Sequence, residues 1–148
     1  MVKKVLLCSA LLVVASMAFA QSQPTVVAPG VTRTVLQQID YPGNGFQTIS
    51  SMVEIAPGAM VAPHTHPGLE TAYVVEGEAI VSIQGQPDMH VKQGDSFEVP
   101  ANTPHKVSNP SPDKTYKLLS TLVVESDKPL TSFDTPQAPK TFATPRTI

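Results

Sequence analysis

Short runs of apolar and β-branched residues, separated by breaker residues, make up most of this chain. Apolar and polar residues alternate within many of these runs, which is the period of a half-buried β-strand. Beyond the first twenty residues, no stretch keeps a 3.6-residue apolar period over three turns, so helices are not expected. The runs that predict strands are 31–39, 46–55, 59–65, 70–75, 79–83, 89–91, 95–99, 105–108 and 116–125, the last being the longest.

Turn signals separate these runs about every eight to twelve residues. They include the segment 40–45, which holds Pro and two Gly, and the Pro-Gly pairs at 57–58 and 67–68. Glycine and proline at such spacing mark tight turns between short strands. The pattern predicts one all-β domain, a sandwich or a barrel, and shows no internal repeat.

Residues 1–20 have the pattern of a cleaved export signal. Lys3 and Lys4 precede a thirteen-residue apolar run, and alanines lie three residues and one residue before Gln21. The alternative is a transmembrane anchor, but the run is shorter than the ~20 residues of a span. Cys8 follows a leucine and only a short apolar stretch, which does not suit an acylated cysteine. We expect a mature protein that begins at Gln21, is periplasmic or secreted, and has no membrane association.

These patterns divide the chain into four parts. Residues 1–20 are the signal peptide, and residues 21–45 are an N-terminal arm with the first strand. The barrel is expected over 46–126. The last part, 127–148, carries four prolines and is expected to be an extended tail that lies on the body or on a neighbour.

Composition narrows the function classes. The chain has 148 residues, of which 41% are hydrophobic and 15% charged, so it is too apolar to be disordered. Its net charge is −2, or −4 once the two lysines of the signal are removed, and no basic cluster follows. A nucleic-acid partner is therefore not expected. The single cysteine leaves with the signal, so stability has to come from the core, a bound metal or oligomerisation.

The four histidines are the best candidates for chemistry. His64 and His66 are two apart in a predicted strand and therefore share one face. Glu70 lies on the next strand and can reach the same point. Imidazoles with one carboxylate suit Fe, Mn, Ni, Cu or Zn rather than Ca or Mg. On these residues alone, a metal site and a surface histidine pair are about equally supported, and His90 is expected at the surface.

Two segments resemble the conserved motifs of the cupin superfamily. The first motif spans 58–77 and the second spans 94–109, with sixteen residues between them. The matching positions are Gly58, His64, His66, Glu70 and Gly77 in the first motif, and Gly94, Pro100, His105 and Asn109 in the second. The second motif departs once, at Asn102, where the family usually has glycine. Because asparagine tolerates a positive φ better than other non-glycine residues, the turn is expected to survive.

The resemblance implies an all-β antiparallel jelly-roll β-barrel, the double-stranded β-helix of cupins, paired as a homodimer. It implies one divalent transition metal, whether Fe, Mn, Ni, Cu or Zn, held by His64, His66, Glu70 and His105. The implied function is a metal-dependent enzyme of dioxygenase-like type that acts on a small oxygen-chelating substrate, with Glu70 also as the catalytic proton acceptor. Lyase and isomerase activities are alternatives that the same resemblance allows. The alternative is a non-catalytic ligand-binding or stress-related cupin in the periplasm.

Strand parity predicts which side chains surround the metal. The expected apolar walls are Met52 or Val53, Met60, Ala72, Val74, Phe97, Val107 and alternate residues of 118–124. Tyr73 has the opposite parity and is expected to face away. An anionic substrate has no obvious cationic partner, provided that Arg33 and Lys92 lie outside the pocket.

Overall fold

The computed structural model describes residues 22–133, which form ten β-strands and no helix. The all-β class predicted from the sequence is therefore confirmed. The strands are β1 Thr25–Ala28, β2 Val31–Tyr41, β3 Phe46–Ile55, β4 Met60–His64, β5 Gly68–Glu76, β6 Glu78–Ile83, β7 Met89–Lys92, β8 Ser96–Val99, β9 His105–Ser108 and β10 Tyr116–Glu125. A membrane-spanning helix is consequently absent from this part of the chain. The predicted signal peptide and the end of the tail lie outside the described residues.

Two antiparallel sheets form the jelly roll. The larger has the order β1-β2-β3-β10-β5-β8 and the smaller has the order β4-β9-β6-β7. Buried and exposed residues alternate along β6 and β10, as the period of two predicts. The buried sides of both sheets meet in one aliphatic core made of Val31, Ile55, Ala72, Val74, Ala79, Val81, Ile83, Val91, Val99, Val107, Tyr116 and Leu118. The site described below lies between the two sheets.

All nine predicted strands are present with bounds that agree to within two residues, and the bounds of β3, β9 and β10 agree residue for residue. Two predictions about the N-terminal strands are wrong. The longest strand is β2 with 11 residues, one more than β10, because Asp40 and Tyr41 continue the ladder opposite Gln47 and Phe46. The first strand was expected to begin at residue 31, but a strand, β1, precedes it and pairs with β2.

Candidate metal centre

Three histidines converge between the sheets. His64 ends β4 and His105 begins β9, and these two residues are direct partners in the ladder between the two strands. His66 follows two residues after His64, beyond the end of β4. All three are buried, and their candidate ligand nitrogens all lie within 4.8 Å of one another. Two nitrogens ~2.1 Å from one ion cannot be more than about 4.2 Å apart. The three histidine nitrogens would therefore need to move only slightly closer together to bind one ion.

Backbone carbonyls set the orientation of all three rings. His64 Nδ1 lies 2.8 Å from Ala62 O, His66 Nδ1 lies 2.7 Å from Leu130 O, and His105 Nδ1 lies 3.0 Å from Thr103 O. A carbonyl oxygen only accepts, so each Nδ1 carries the proton and donates it. Each Nε2 is then left with a lone pair, which is the form of histidine that binds a metal.

Glu70 faces the same point from β5. Its Oε2 lies 3.3 Å from His105 Nε2 and 3.6 Å from His66 Nε2, and the Ser120 hydroxyl donates to its Oε1 at 2.5 Å. If both Nε2 atoms carry lone pairs, a nearby carboxylate oxygen repels them unless a cation lies between them. The residues present therefore fit a metal ion. The ligand roles of the four residues stay a prediction.

Burial and the neighbouring charges shift the acidity of the cluster. Burial, followed by the repulsion of His105, lowers the pKa of His64 to about 4. Burial also lowers the pKa of His66, although Glu70 opposes this. Burial alone would raise the pKa of Glu70, but its contacts with the His105 and His66 imidazoles and with the Ser120 hydroxyl together leave it below its usual value. At neutral pH His64 and His66 are thus neutral imidazoles and Glu70 is an ionised carboxylate, the protonation states in which these groups can be ligands.

Close backbone contacts position the strands that carry these ligands. Gly68, two residues before Glu70, lies so close to β10 that an added Cβ would touch the Val123 carbonyl oxygen. The sequence predicted a bend at this glycine but gave no sign of the contact. Asn102 has a φ of 58°, as expected for a turn that replaces the family's glycine, and its N–H donates to His66 O at 2.8 Å.

The start of the C-terminal tail closes one side of the site. Thr65 and Ser132 form an isolated antiparallel bridge with backbone N–H···O distances of 2.9 and 3.0 Å. This bridge holds the Leu130 carbonyl on His66, and it brings the Phe133 ring to 5.8 Å from the ring of His64. A proline-rich composition predicted an extended tail, but nothing in the sequence indicated that it completes the site.

A cavity of about 300 Å³ opens beside the histidines. Its lining residues are Val27, Val31, Arg33, Val53, Ile55, Val61, His64, His66, Glu70, Phe97, His105, Val107, Leu118, Ser120, Leu122, Leu130, Thr131 and Phe133. The predicted walls Val53, Phe97 and Val107 are therefore confirmed. Of the alternate residues of 118–124, the cavity is lined by Leu118, Ser120 and Leu122 but not by Val124, which is buried in a separate cluster with Ile49. The volume is at the lower end of the range for small-molecule sites.

Other parity predictions for the walls are wrong. Met60 is 43% exposed, because the register shift of β4 against β9 between Val61 and His64 turns Val61 inward instead. Ala72 and Val74 are buried in the aliphatic core and do not line the cavity.

The two cationic side chains near the barrel lie in different places. Arg33 lines the cavity, so the condition under which an anionic substrate would lack a cationic partner is not met. It faces inward because it lies two residues after the buried Val31 on β2 and opposite Val53 on β3. Lys92 is exposed and is not part of the cavity wall.

The remaining residues of interest behave as the sequence predicts. His90 is exposed on β7, away from the cluster. Tyr73 is 49% exposed and faces away from the cavity. Asn109 is buried and donates to the carbonyls of Ile55 and Lys114, at 3.0 and 2.7 Å, so it closes a backbone turn.

Comparisons with known proteins agree on the fold. A family model described as "Cupin domain" matches residues 51–122. An RmlC-like cupin from Shewanella frigidimarina superposes with a TM-score of 0.60 at 24% identity, covering 77% of this chain and 95% of that one. The polyketide cyclase RemF from Streptomyces resistomycificus gives 0.57 at 24% identity, covering 74% and 78%. The DMSP lyase DddQ from Ruegeria pomeroyi gives 0.62 at 18% identity, covering 80% and 64%. No curated protein matches the chain in sequence.

Proposed function

Because the chain is a small member of the cupin superfamily whose barrel brings three histidines together, we propose that it binds one divalent transition metal and acts on a small oxygen-chelating substrate. The observation that carries the proposal is the convergence of three buried histidines, two of which, His66 and His105, place Nε2 within 3.6 Å of the Glu70 carboxylate. Nitrogen donors with one carboxylate suit Fe, Mn, Ni, Cu or Zn.

The chemistry divides between the ion and Glu70. A bound ion would hold the substrate's oxygens and act as a Lewis acid. Glu70 is ionised at neutral pH, and its Oε1 is already held by Ser120, so Oε2 is the oxygen that can accept a proton. A carboxylate that takes a proton from a chelating hydroxyl serves an oxygenase, our preferred class. It would equally serve a lyase or an isomerase, and the structures similar in fold include a lyase and a cyclase.

Glu70→Gln separates catalysis from binding. The substitution keeps the size of the side chain but removes its charge and its basic oxygen, while the three imidazoles remain to hold the ion. We expect metal content to stay near the wild-type value and turnover to fall ~100-fold or more, the usual contribution of a positioned general base. The measurements are metal analysis and an oxygen-uptake and product screen with catechols, flavonols and β-diketones.

Two further results give this experiment its meaning. His90→Gln, which alters an exposed histidine outside the cluster, is the matched control and should change neither quantity. An unchanged rate in Glu70→Gln would remove Glu70 from the mechanism and leave it as a ligand only. If no turnover is found and Glu70→Gln alters ligand affinity only modestly, the alternative of a non-catalytic binding module is favoured.

Export and self-association complete the proposal. The pattern of residues 1–20 supports a signal peptide, and hence a periplasmic or secreted protein that begins at Gln21. The outer face of the larger sheet supports a homodimer. It exposes Leu69, Tyr73 and Val123, of which Leu69 and Val123 are direct partners on neighbouring strands. Contiguous exposed apolar side chains of this kind are typical of an interaction surface.

A further inference from the structure

Arg33 is the one cation with an invariant charge among the residues that line the cavity. It is partly buried on the inner face of β2 and lines the same cavity as His64, His66 and His105. A ligand in this cavity could therefore contact Arg33 and the histidine cluster at the same time. Lys92, the other cation that the sequence suggested near the barrel, is exposed to solvent.

Nothing in the described part of the chain neutralises this guanidinium. No salt bridge or side-chain hydrogen bond within residues 22–133 involves Arg33. Glu70 is the only carboxylate in the cavity wall, and it is already bonded to Ser120 and directed at His66 and His105. Apart from the three histidines, Ser120 and Thr131, the other lining residues are apolar. Burying an arginine against apolar walls costs free energy unless an anion pairs with it.

We propose that Arg33 binds the carboxylate of an anionic substrate whose opposite end reaches the three-histidine cluster. This inference rests on the proposed function and adds the class of substrate to it. The planar guanidinium presents two parallel N–H groups to a carboxylate, which gives both affinity and a fixed orientation.

Charge and shape define the class more closely. A divalent ion with Glu70 carries a net charge of +1, and Arg33 adds a second positive charge, so the cavity favours an anion over a neutral chelator. The walls between these groups, among them Val53, Phe97 and Leu118, require an apolar body. The substrate class is a small carboxylic acid with a hydrocarbon or aromatic middle and oxygen donors at the far end, within about 300 Å³.

A pair of probes tests the carboxylate half of this proposal. 3-Phenylpropanoate and its neutral amide, 3-phenylpropanamide, differ only in the group that would contact Arg33. Their affinities are measured by calorimetry at pH 7.5 for the wild type, Arg33→Gln, Arg33→Lys and the control Lys92→Gln. Each protein is measured after metal loading and after chelation, because the ion itself attracts carboxylates.

The wild type should prefer the acid, and Arg33→Gln should weaken acid binding ~10-fold or more with or without metal. Amide binding should stay unchanged in Arg33→Gln, which also shows that the cavity is intact. Arg33→Lys should bind the acid more weakly than the wild type but more tightly than Arg33→Gln, because lysine keeps the charge but lacks the two parallel N–H groups of the guanidinium. Lys92→Gln should resemble the wild type.

Two results would overturn the inference. The first is a wild-type protein that shows no preference for the acid over the amide. The second is equal affinity of wild type and Arg33→Gln for the acid after chelation, since only the ion would then attract it. Failure of the wild type to bind any metal would refute the proposed function instead, because the chelated arm tests Arg33 without the ion.

Discussion

Position 68 shows how one missing side chain allows two strands to meet at the site. Its φ is not positive, so glycine is needed here for space rather than for an unusual backbone conformation. A Cβ at this position would touch the Val123 carbonyl oxygen and approach Val124 Cα to 2.6 Å. Both obstacles are backbone atoms of β10, which cannot rotate away.

Gly68→Ala should therefore destabilise the fold and disturb the site together. We expect a loss of about 1–3 kcal/mol in the free energy of unfolding, the usual cost of overpacking, and weaker metal binding because Glu70 follows two residues later. Urea unfolding and metal titration measure the two effects. Gly85→Ala is the comparison, since a Cβ there meets nothing and only the positive φ is strained. A Gly68→Ala protein no less stable than Gly85→Ala would contradict this account.

At the same scale, the sequence predicted which residues meet but not every residue around them. His64, His66 and Glu70 could be grouped because of their spacing and strand parity, whereas His105 was added only by the resemblance to the second cupin motif. Met60 was placed wrongly because a register shift reverses parity locally, and such a shift leaves no sequence signal. The sequence did not assign Arg33 to the cavity, because a charged residue on a strand close to the edge of a sheet is usually exposed to solvent.

Residues 127–133, the described part of the C-terminal tail, form part of the site although they are not a strand. Its Leu130 carbonyl accepts from His66 Nδ1, and its Leu130 side chain packs on the cluster of Ile49, Leu122 and Val124. A carbonyl that orients a metal-binding histidine contributes to metal affinity although it never touches the ion. β1 was not predicted because its residues do not alternate between buried and exposed positions.

Removal of residues 127–148 should lower metal affinity about 10- to 100-fold, the usual effect of losing such a hydrogen bond to a ligand. The reason is that His66 loses the partner that fixes its ring and tautomer. Metal titration against a competing chelator measures the change. A shorter truncation that removes only 134–148 keeps Leu130 and the bridge to Thr65, and it should bind like the full chain. Equal affinity in all three proteins would exclude this role for the tail.

For the whole molecule, stability should depend on metal and on pH in a linked way. The pKa of His64 is about 4 in the folded protein and about 6.5 in an unfolded chain, so unfolding takes up a proton as the pH falls through this window. His66 is shifted in the same direction. The chelated protein should therefore lose stability between pH 6.5 and 4, whereas these groups contribute no slope above that range.

Thermal melting across pH tests this prediction. At neutral pH the metal-loaded protein should melt at a higher temperature than the chelated one. When free metal is 1,000 times Kd, binding should add ~4 kcal/mol to the free energy of unfolding. The difference should shrink toward pH 4 because protons compete for Nε2. His64→Gln should flatten the profile of the chelated protein, and His90→Gln should not. Identical melting with and without chelator would refute an internal metal site.

The proposed homodimer is also a property of the whole molecule. If it forms through the outer face of the larger sheet, Leu69→Lys should shift the molar mass toward that of a monomer, because a buried lysine at such a contact lacks a partner. Light scattering coupled to size exclusion measures this. Met60→Lys alters an equally exposed apolar residue on the other sheet and should stay dimeric. A dimer unaffected by either change would place the interface elsewhere.

The bond between His66 and Leu130 joins positions 64 residues apart, and this separation determines when the site can exist. A ribosome that has made the histidines has not yet made the carbonyl that orients one of them. Contacts so distant along the chain close late in folding, after the local hairpins. If the protein binds the proposed metal, the ion consequently enters a nearly finished protein. If the protein is also exported as proposed, the ions available where folding ends then determine which metal it acquires, rather than those present where synthesis begins.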